Sequence, residues 1–186
     1  MMRRAAPTDM WRRFARCVAG ASALEFALIA PVVVLILTGM IDYGLAVYTR
    51  FSMNERLSAA ANYAMLSAAS VGSSSGATLA ATLVAIIPSQ FDVTVVVNNG
   101  PAAQRVGGVS TPSGTASNAD LCYCPTLSGS TVAWGSATTC ASTCSSGVLA
   151  GKFVTIACSR SYTPLLMGYG LVSSGVVSDL AVVQVQ

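Results

Sequence analysis

Four thiols stand at spacings that can do chemistry. "CYC" sets Cys122 two residues from Cys124, and "CASTC" sets Cys140 four residues from Cys144. Such a set can hold a zinc ion through four thiolates or close into two disulfides. The C-x-C and C-x3-C spacings are not those of a standard zinc ribbon. Five of the six cysteines lie in the distal half of the chain, a distribution that suggests an oxidising compartment. Disulfides are therefore expected and no metal is. Adjacent C-x-C residues rarely pair with each other, so Cys122 and Cys124 should each reach across to Cys140 or Cys144, in an order that the sequence leaves open. Cys158 is then left over and reads as a small buried hydrophobe of a strand.

Other reactive constellations are missing. The chain contains no histidine, which removes Ser-His-Asp and Cys-His nucleophile activation and mixed Cys/His zinc sites. "GSSSG", Gly72 to Gly76, formally matches G-x-S-x-G around Ser74. A nucleophile elbow needs a strand before it, a helix after it and a histidine base; the preceding segment reads as helix, so this is a flexible linker. The distal acids Glu55, Asp92, Asp120 and Asp179 are scattered and form no paired-carboxylate site. The expectation is a chain that is not an enzyme and carries no cofactor.

The elements that position these residues begin with an apolar run. The chain is 53% hydrophobic and 9% charged, well below the charged share of a soluble domain. Arg3, Arg4, Arg12, Arg13 and Arg16 precede the run and only Asp9 opposes them; beyond Ala21 five basic residues meet six acidic ones. A near-neutral body offers no nucleic-acid footprint. Between Glu25 and Asp42 there is no charge, and a helix over that interval rises roughly 25 Å, close to the hydrocarbon thickness of about 30 Å. The two acids frame a membrane span, with the arginines on its cytoplasmic side. A cleaved secretory signal would have a shorter core and an A-x-A-like site. An ordinary anchor would leave Glu25 as an interfacial acid. The third reading is a leader cleaved on the N-terminal side of the run.

Beyond the span, "FSMNERLSAAANYAMLSAAS" continues as helix, with Met53, Leu57, Ala60, Ala61, Ala64, Met65 and Ala68 on one stripe. "ATLAATLVAIIP" is a second short helix stopped by Pro88. "FDVTVVVNNG" alternates as a strand ending in an Asn-Gly turn, and "KFVTIACSRSY" and "GVVSDLAVVQVQ" are two more strands. This is an α+β chain: a long N-terminal transmembrane helix continuing into a small antiparallel-sheet domain. Its segments are a basic cytoplasmic leader over 1–20, a transmembrane helix over 21–48, an amphipathic extension over 49–70 and an external domain over 71–186. A loop over about 98–151, rich in Gly, Ser, Thr, Ala and Pro, is stapled by its cysteines. Tyr162 and Tyr169 flank Thr163, Pro164 and Leu165 in what reads as a packed turn.

Gly20, four residues, then Glu25 and Phe26 resemble a prepilin-peptidase signal. The whole stretch "GASALEFALIAPVVVLILTGMIDYGLAVYTRFSMNERLSAAANYA" is similar to the TadE-like family of minor pseudopilins of the tight-adherence (Flp) pilus system. "FVTIACSRSYTPLLMG" resembles a distal segment of the same family. The resemblance implies a pilin-like architecture, cleavage between Gly20 and Ala21, and recognition through Glu25 and Phe26. The partners it implies are a prepilin peptidase, other pilins or pseudopilins with their assembly machinery, and the lipid bilayer. The implied location is the bacterial inner membrane, single pass, with the N-terminus cytoplasmic and the C-terminal domain periplasmic or extracellular. The implied role is pilus biogenesis and adhesion. The rival from a different class is a permanently anchored envelope protein with an external ligand- or surface-binding domain.

Overall fold

The computed structural model describes residues 19–129, 131–164 and 175–186. The arginines and Cys17 of the leader, and Leu165 and Tyr169 of the distal turn, lie outside them. The chain divides into two compact units between Gly44 and Leu45. It is α+β, with a long apolar helix followed by an antiparallel sheet. Helix α1 covers Ala19–Leu66 and α2 covers Gly76–Ile86. The strands are β1 (Asp92–Val97), β2 (Ala102–Val106), β3 (Val109–Ser113), β4 (Thr126–Ser128), β5 (Thr131–Ala133), β6 (Phe153–Ser161) and β7 (Val176–Gln184). Five make one sheet in the order β3-β2-β1-β6-β7, every pairing antiparallel, and β4 and β5 make a separate hairpin.

The core of the distal unit follows from alternation. Successive side chains of a strand face opposite sides of a sheet, so Val93, Val95 and Val97 of β1 point one way, and each is at most 1% exposed. Register sets them opposite Cys158, Ile156 and Val154 of β6. Leu79, Ala80, Leu83 and Val84 of α2 join the same cluster, as do Met53, Leu57, Ala60 and Ala64 of α1. The expected stripe on α1 is narrower than its sequence, because Met65 is 49% exposed. Ile87 is extended, at φ −84° and ψ 129°, as a residue before proline must be, and α2 stops there.

Residues 102–113 differ from the sequence reading, which placed them in the stapled loop. They form β2 and β3 of the main sheet. Two turns fold them back. Asn98 and Asn99 sit at φ 52° and 55°, and the Gly100 N–H donates to the Val97 carbonyl at 2.9 Å, which is the primed turn that matches strand twist. Gly107 and Gly108 sit at φ 56° and 83° and close the next hairpin. A side chain at Gly100 would meet the Ala119 backbone nitrogen at 2.7 Å, so only glycine lets the two segments approach.

Arg105 of β2 points to the core side and is 8% exposed. Its guanidinium donates to the carbonyls of Val84 at 2.9 Å, Ile87 at 2.6 Å and Pro88 at 2.7 Å. These lie at the C-terminal end of α2, where carbonyls lack intrahelical partners and a cation is favoured. Its Nε finds no partner among the described residues. Replacing Arg105 with Met keeps most of the aliphatic stem and leaves those carbonyls bare, each buried unpaired group costing about 1–3 kcal/mol. Urea unfolding of the detergent-solubilised chain should show Arg105→Met destabilised by about 3 kcal/mol. Arg105→Lys should restore only part of that, since one ammonium cannot span the same carbonyls; equal stability of all three would refute the capping role.

Candidate functional site

The apolar helix end is the first candidate site. Gly20 lies in the first turns of α1, where glycine weakens a helix by about 1 kcal/mol relative to alanine. Glu25 is exposed and Phe26 is 73% exposed. From Val32 to Leu37 six consecutive apolar residues are 44–60% exposed. Consecutive positions on a helix point all round it, so this is not a helix with one face for a core. A helix apolar all round belongs in a bilayer or among other helices. Its polar atoms are self-contained: the Thr38 hydroxyl donates to the Val34 carbonyl at 2.8 Å, as a hydroxyl in hydrocarbon must. Asp42, the other acid bounding the run, is 1% exposed, so the two acids differ in setting although the sequence presents them as a matched frame.

The stapled loop is the second candidate. Disulfides join Cys122 to Cys140 and Cys124 to Cys144. The irregular segment that carries them runs from the end of β3 to Gly151, shorter than the sequence reading by the two strands already described. Tyr123 and Gly151 exchange both backbone hydrogen bonds, at 2.9 and 3.2 Å. Trp134 meets the ring of buried Tyr123 edge-on at 5.9 Å. Exposed Leu127, Val148 and Leu149 stand out from this segment.

Two side chains not singled out in the sequence tie the loop to the rest of its unit. Asn98 is fully buried; its amide donates to the carbonyls of Ala119 at 3.0 Å and Leu121 at 2.5 Å, and its Oδ1 accepts from the Phe153 N–H at 3.2 Å. Asp120 accepts from the Ser73 N–H at 2.9 Å. Hydrogen bonds from the Ser73 side chain and backbone hold the Asp120 carboxyl below its usual range, with the Lys152 charge adding to them. Lys152 itself donates to the Val71 carbonyl at 3.2 Å. The expected linker "GSSSG" is thus an anchored connector: Ser73 binds Asp120, and helix α2 already begins at Gly76. The signal in the sequence was the Asn-Asn-Gly run, which demands positive φ; nothing local marked Asp120.

Among the described residues no group of three or more His, Cys, Asp or Glu could hold a metal ion. A shallow depression on the sheet is lined by Asp92, Thr94, Gln104, Ser159, Ser178 and Asp179.

These features define an α+β protein with one N-terminal helix long and apolar enough, by length and composition, to cross a membrane. Residues 20–62 match the TadE-like protein family. Over that stretch the chain is similar to TadE-like proteins. The match ends within α1, so the distal stretch from Phe153 is not part of it. No curated protein and no solved structure matches the chain.

The thiols give a direct check. Peptide mapping without reduction should recover the Cys122–Cys140 and Cys124–Cys144 links, each closing a loop for which the chain-entropy model gives about 3 kcal/mol. Cys158 is free and 2% exposed. Burial pushes its thiol up from the ordinary 9.0 to about 11, the Arg105 charge opposing and Asp179 assisting. The folded chain favours the neutral thiol, so this contribution is intact below pH 9.0 and is lost as pH rises through about 11. Cys158 should resist alkylation at pH 8 until the protein is unfolded, and Cys158→Ala should flatten the alkaline loss of stability. Rapid labelling of the native protein would contradict its burial.

Proposed function

We propose that this chain is a minor pseudopilin of a Tad/Flp-type pilus, structural rather than catalytic, acting in pilus biogenesis and adhesion. The observation that carries the reading is an all-round apolar helix that opens with Gly20, four residues, Glu25 and Phe26, inside the segment that matches the TadE-like family. The chain is inserted in the bacterial inner membrane with its arginines in the cytoplasm, by the positive-inside rule, and its distal unit outside. A prepilin peptidase cleaves between Gly20 and Ala21, removing those arginines and creating a new α-amino group near Glu25. A carboxylate within a bilayer costs about 2.5–3.5 kcal/mol at the helix centre and less toward the interface. A cationic amino terminus, on the same subunit or its neighbour, offsets that penalty. Glu25 thereby sets the axial register of packed helices, as buried polar residues can.

Mass spectrometry of the mature protein should find Ala21 at its N-terminus, and Gly20→Leu should block processing. A mature chain retaining its arginines would favour the permanently anchored envelope protein instead. Glu25→Gln keeps size and hydrogen bonding but removes the charge. Membrane level and cleavage should survive it, because span and arginines are unchanged, while surface piliation and co-isolation with other pilus components fall. Normal piliation at normal protein level would reduce Glu25 to an interfacial acid.

A further inference from the structure

The two bridges of the loop are interleaved. Cys122 pairs with Cys140 and Cys124 with Cys144, so the second bridge starts inside the loop closed by the first and ends outside it. A fifth thiol, Cys158, is unpaired and buried in β6. We propose that the chain reaches this state by isomerisation of disulfides first formed in wrong pairings, and that a dithiol–disulfide isomerase is a required partner in its maturation. The inference rests on the distal unit lying outside the cytoplasm, as proposed above.

Chain statistics do not select the native pairs. Loop-closure probability falls only as about the three-halves power of length. The native separations are 18 and 20 residues; Cys124 to Cys140 and Cys144 to Cys158 close loops of similar size, within about twofold in probability. Five thiols allow five choices of the unpaired one and three pairings of the rest, fifteen sets of which twelve avoid the Cys122–Cys124 link, so an unguided oxidation gives the native set roughly once in twelve to fifteen.

Local structure gives little guidance either. Among the described residues from Cys122 to Gly151 the only strands are the three-residue β4 and β5; the rest is held by the single bridges Cys122–Thr138, Tyr123–Gly151 and Thr143–Leu149 and by short-range turn hydrogen bonds around Cys144. The sheet sorts one thiol alone: Cys158 faces the core opposite Val93, so any bridge through it must open before β1 and β6 can close. After that the four loop thiols still have three pairings, two of them joining Cys122 and Cys124 across the loop.

The chemistry balances in two stages. A carrier disulfide accepts two electrons and two protons from two chain thiols; a chain disulfide forms and the carrier leaves as a dithiol. In the second stage an isomerase thiolate attacks one sulfur of a wrong bridge, forming a mixed disulfide and releasing a chain thiolate. Another chain thiolate attacks the chain sulfur of that mixed disulfide and expels the isomerase thiolate. No net electrons move in this stage.

The test uses the full chain in detergent with Cys17→Ala, so that only the five thiols take part. Reduced and unfolded protein is transferred to folding conditions with oxidised glutathione, with or without protein disulfide isomerase and a glutathione redox pair, and the links are mapped. The native pair set should be a minority with oxidant alone and the majority with isomerase. Oxidation in denaturant, where folding plays no part, should give native pairs about fivefold more often in Cys17→Ala/Cys158→Ala, as three pairings replace fifteen. A native majority with oxidant alone, under folding conditions, would overturn the proposal. Four free loop thiols in protein recovered from cells would overturn instead the external placement on which it rests.

Discussion

One guanidinium ties the end of helix α2 to the sheet of the distal unit. Arg105 extends from β2 beneath the sheet and takes the carbonyls at the end of α2. Its partners are backbone atoms, so it caps a helix rather than forming an ion pair, and it does so where the helix dipole favours a cation. Register places it beside Val93 of β1, whose other neighbour across the sheet is Cys158. The helix-capping cation, the central valine and the buried thiol therefore lie on one cross-strand row. Without the cation, α2 would end on bare carbonyls inside a hydrophobic cluster; without α2, that cluster would lose Leu79, Ala80, Leu83 and Val84 and keep only the Met53–Ala64 stripe of α1 on its helical side.

The same residue explains what was hard to read in the sequence. The strands β1, β6 and β7 were legible because β-branched residues alternate along them, and the stripe from Met53 to Ala64 was legible because its spacing is helical. β2 and β3 were not. "AAQRV" sets an arginine on the core face, and every residue of β3 is exposed, so neither strand carries a hydrophobic alternation. The Gly107-Gly108 pair between two valines was the available signal, hidden by its Gly/Ser/Thr-rich surroundings. Cysteine pairing was legible as cross-loop, but its order was not, since loops of nearly equal length close with nearly equal entropy. Gly20, Glu25 and Phe26 were legible as a pattern; what sequence could not supply is the contrast between exposed Glu25 and buried Asp42.

The apolar part of α1 and the distal unit obey different rules. The helix satisfies every backbone group internally, so it tolerates a surrounding without water, and its side chains from Val32 to Leu37 have no core of their own. Burying a single leucine, valine or isoleucine is worth about 1.5–3 kcal/mol. A dozen left bare in water would outweigh the stability of an ordinary domain, 5–15 kcal/mol. That inequality, more than any single motif, is the physical argument for a bilayer or neighbouring helices around this helix.

The stapled loop meets a comparable shortage by covalent means. Between Val106 and Gly151 the only charged residue is Asp120, and it is spent internally on Ser73. Few large apolar side chains there are buried: Leu127, Val148 and Leu149 are each more than half exposed. Ordering such a segment costs about 1–2 kcal/mol of backbone entropy per residue, and neither a core nor ion pairs repay it locally. Two bridges restrict the unfolded chain instead, while Asn98 of the hairpin turn binds Ala119, Leu121 and Phe153 of β6, and Tyr123 closes the loop's base on Gly151. One unit therefore needs an apolar surrounding and the other an oxidising one. A membrane with an oxidising far side would supply both, and these two physical requirements, which arise independently, are the argument for the proposed location.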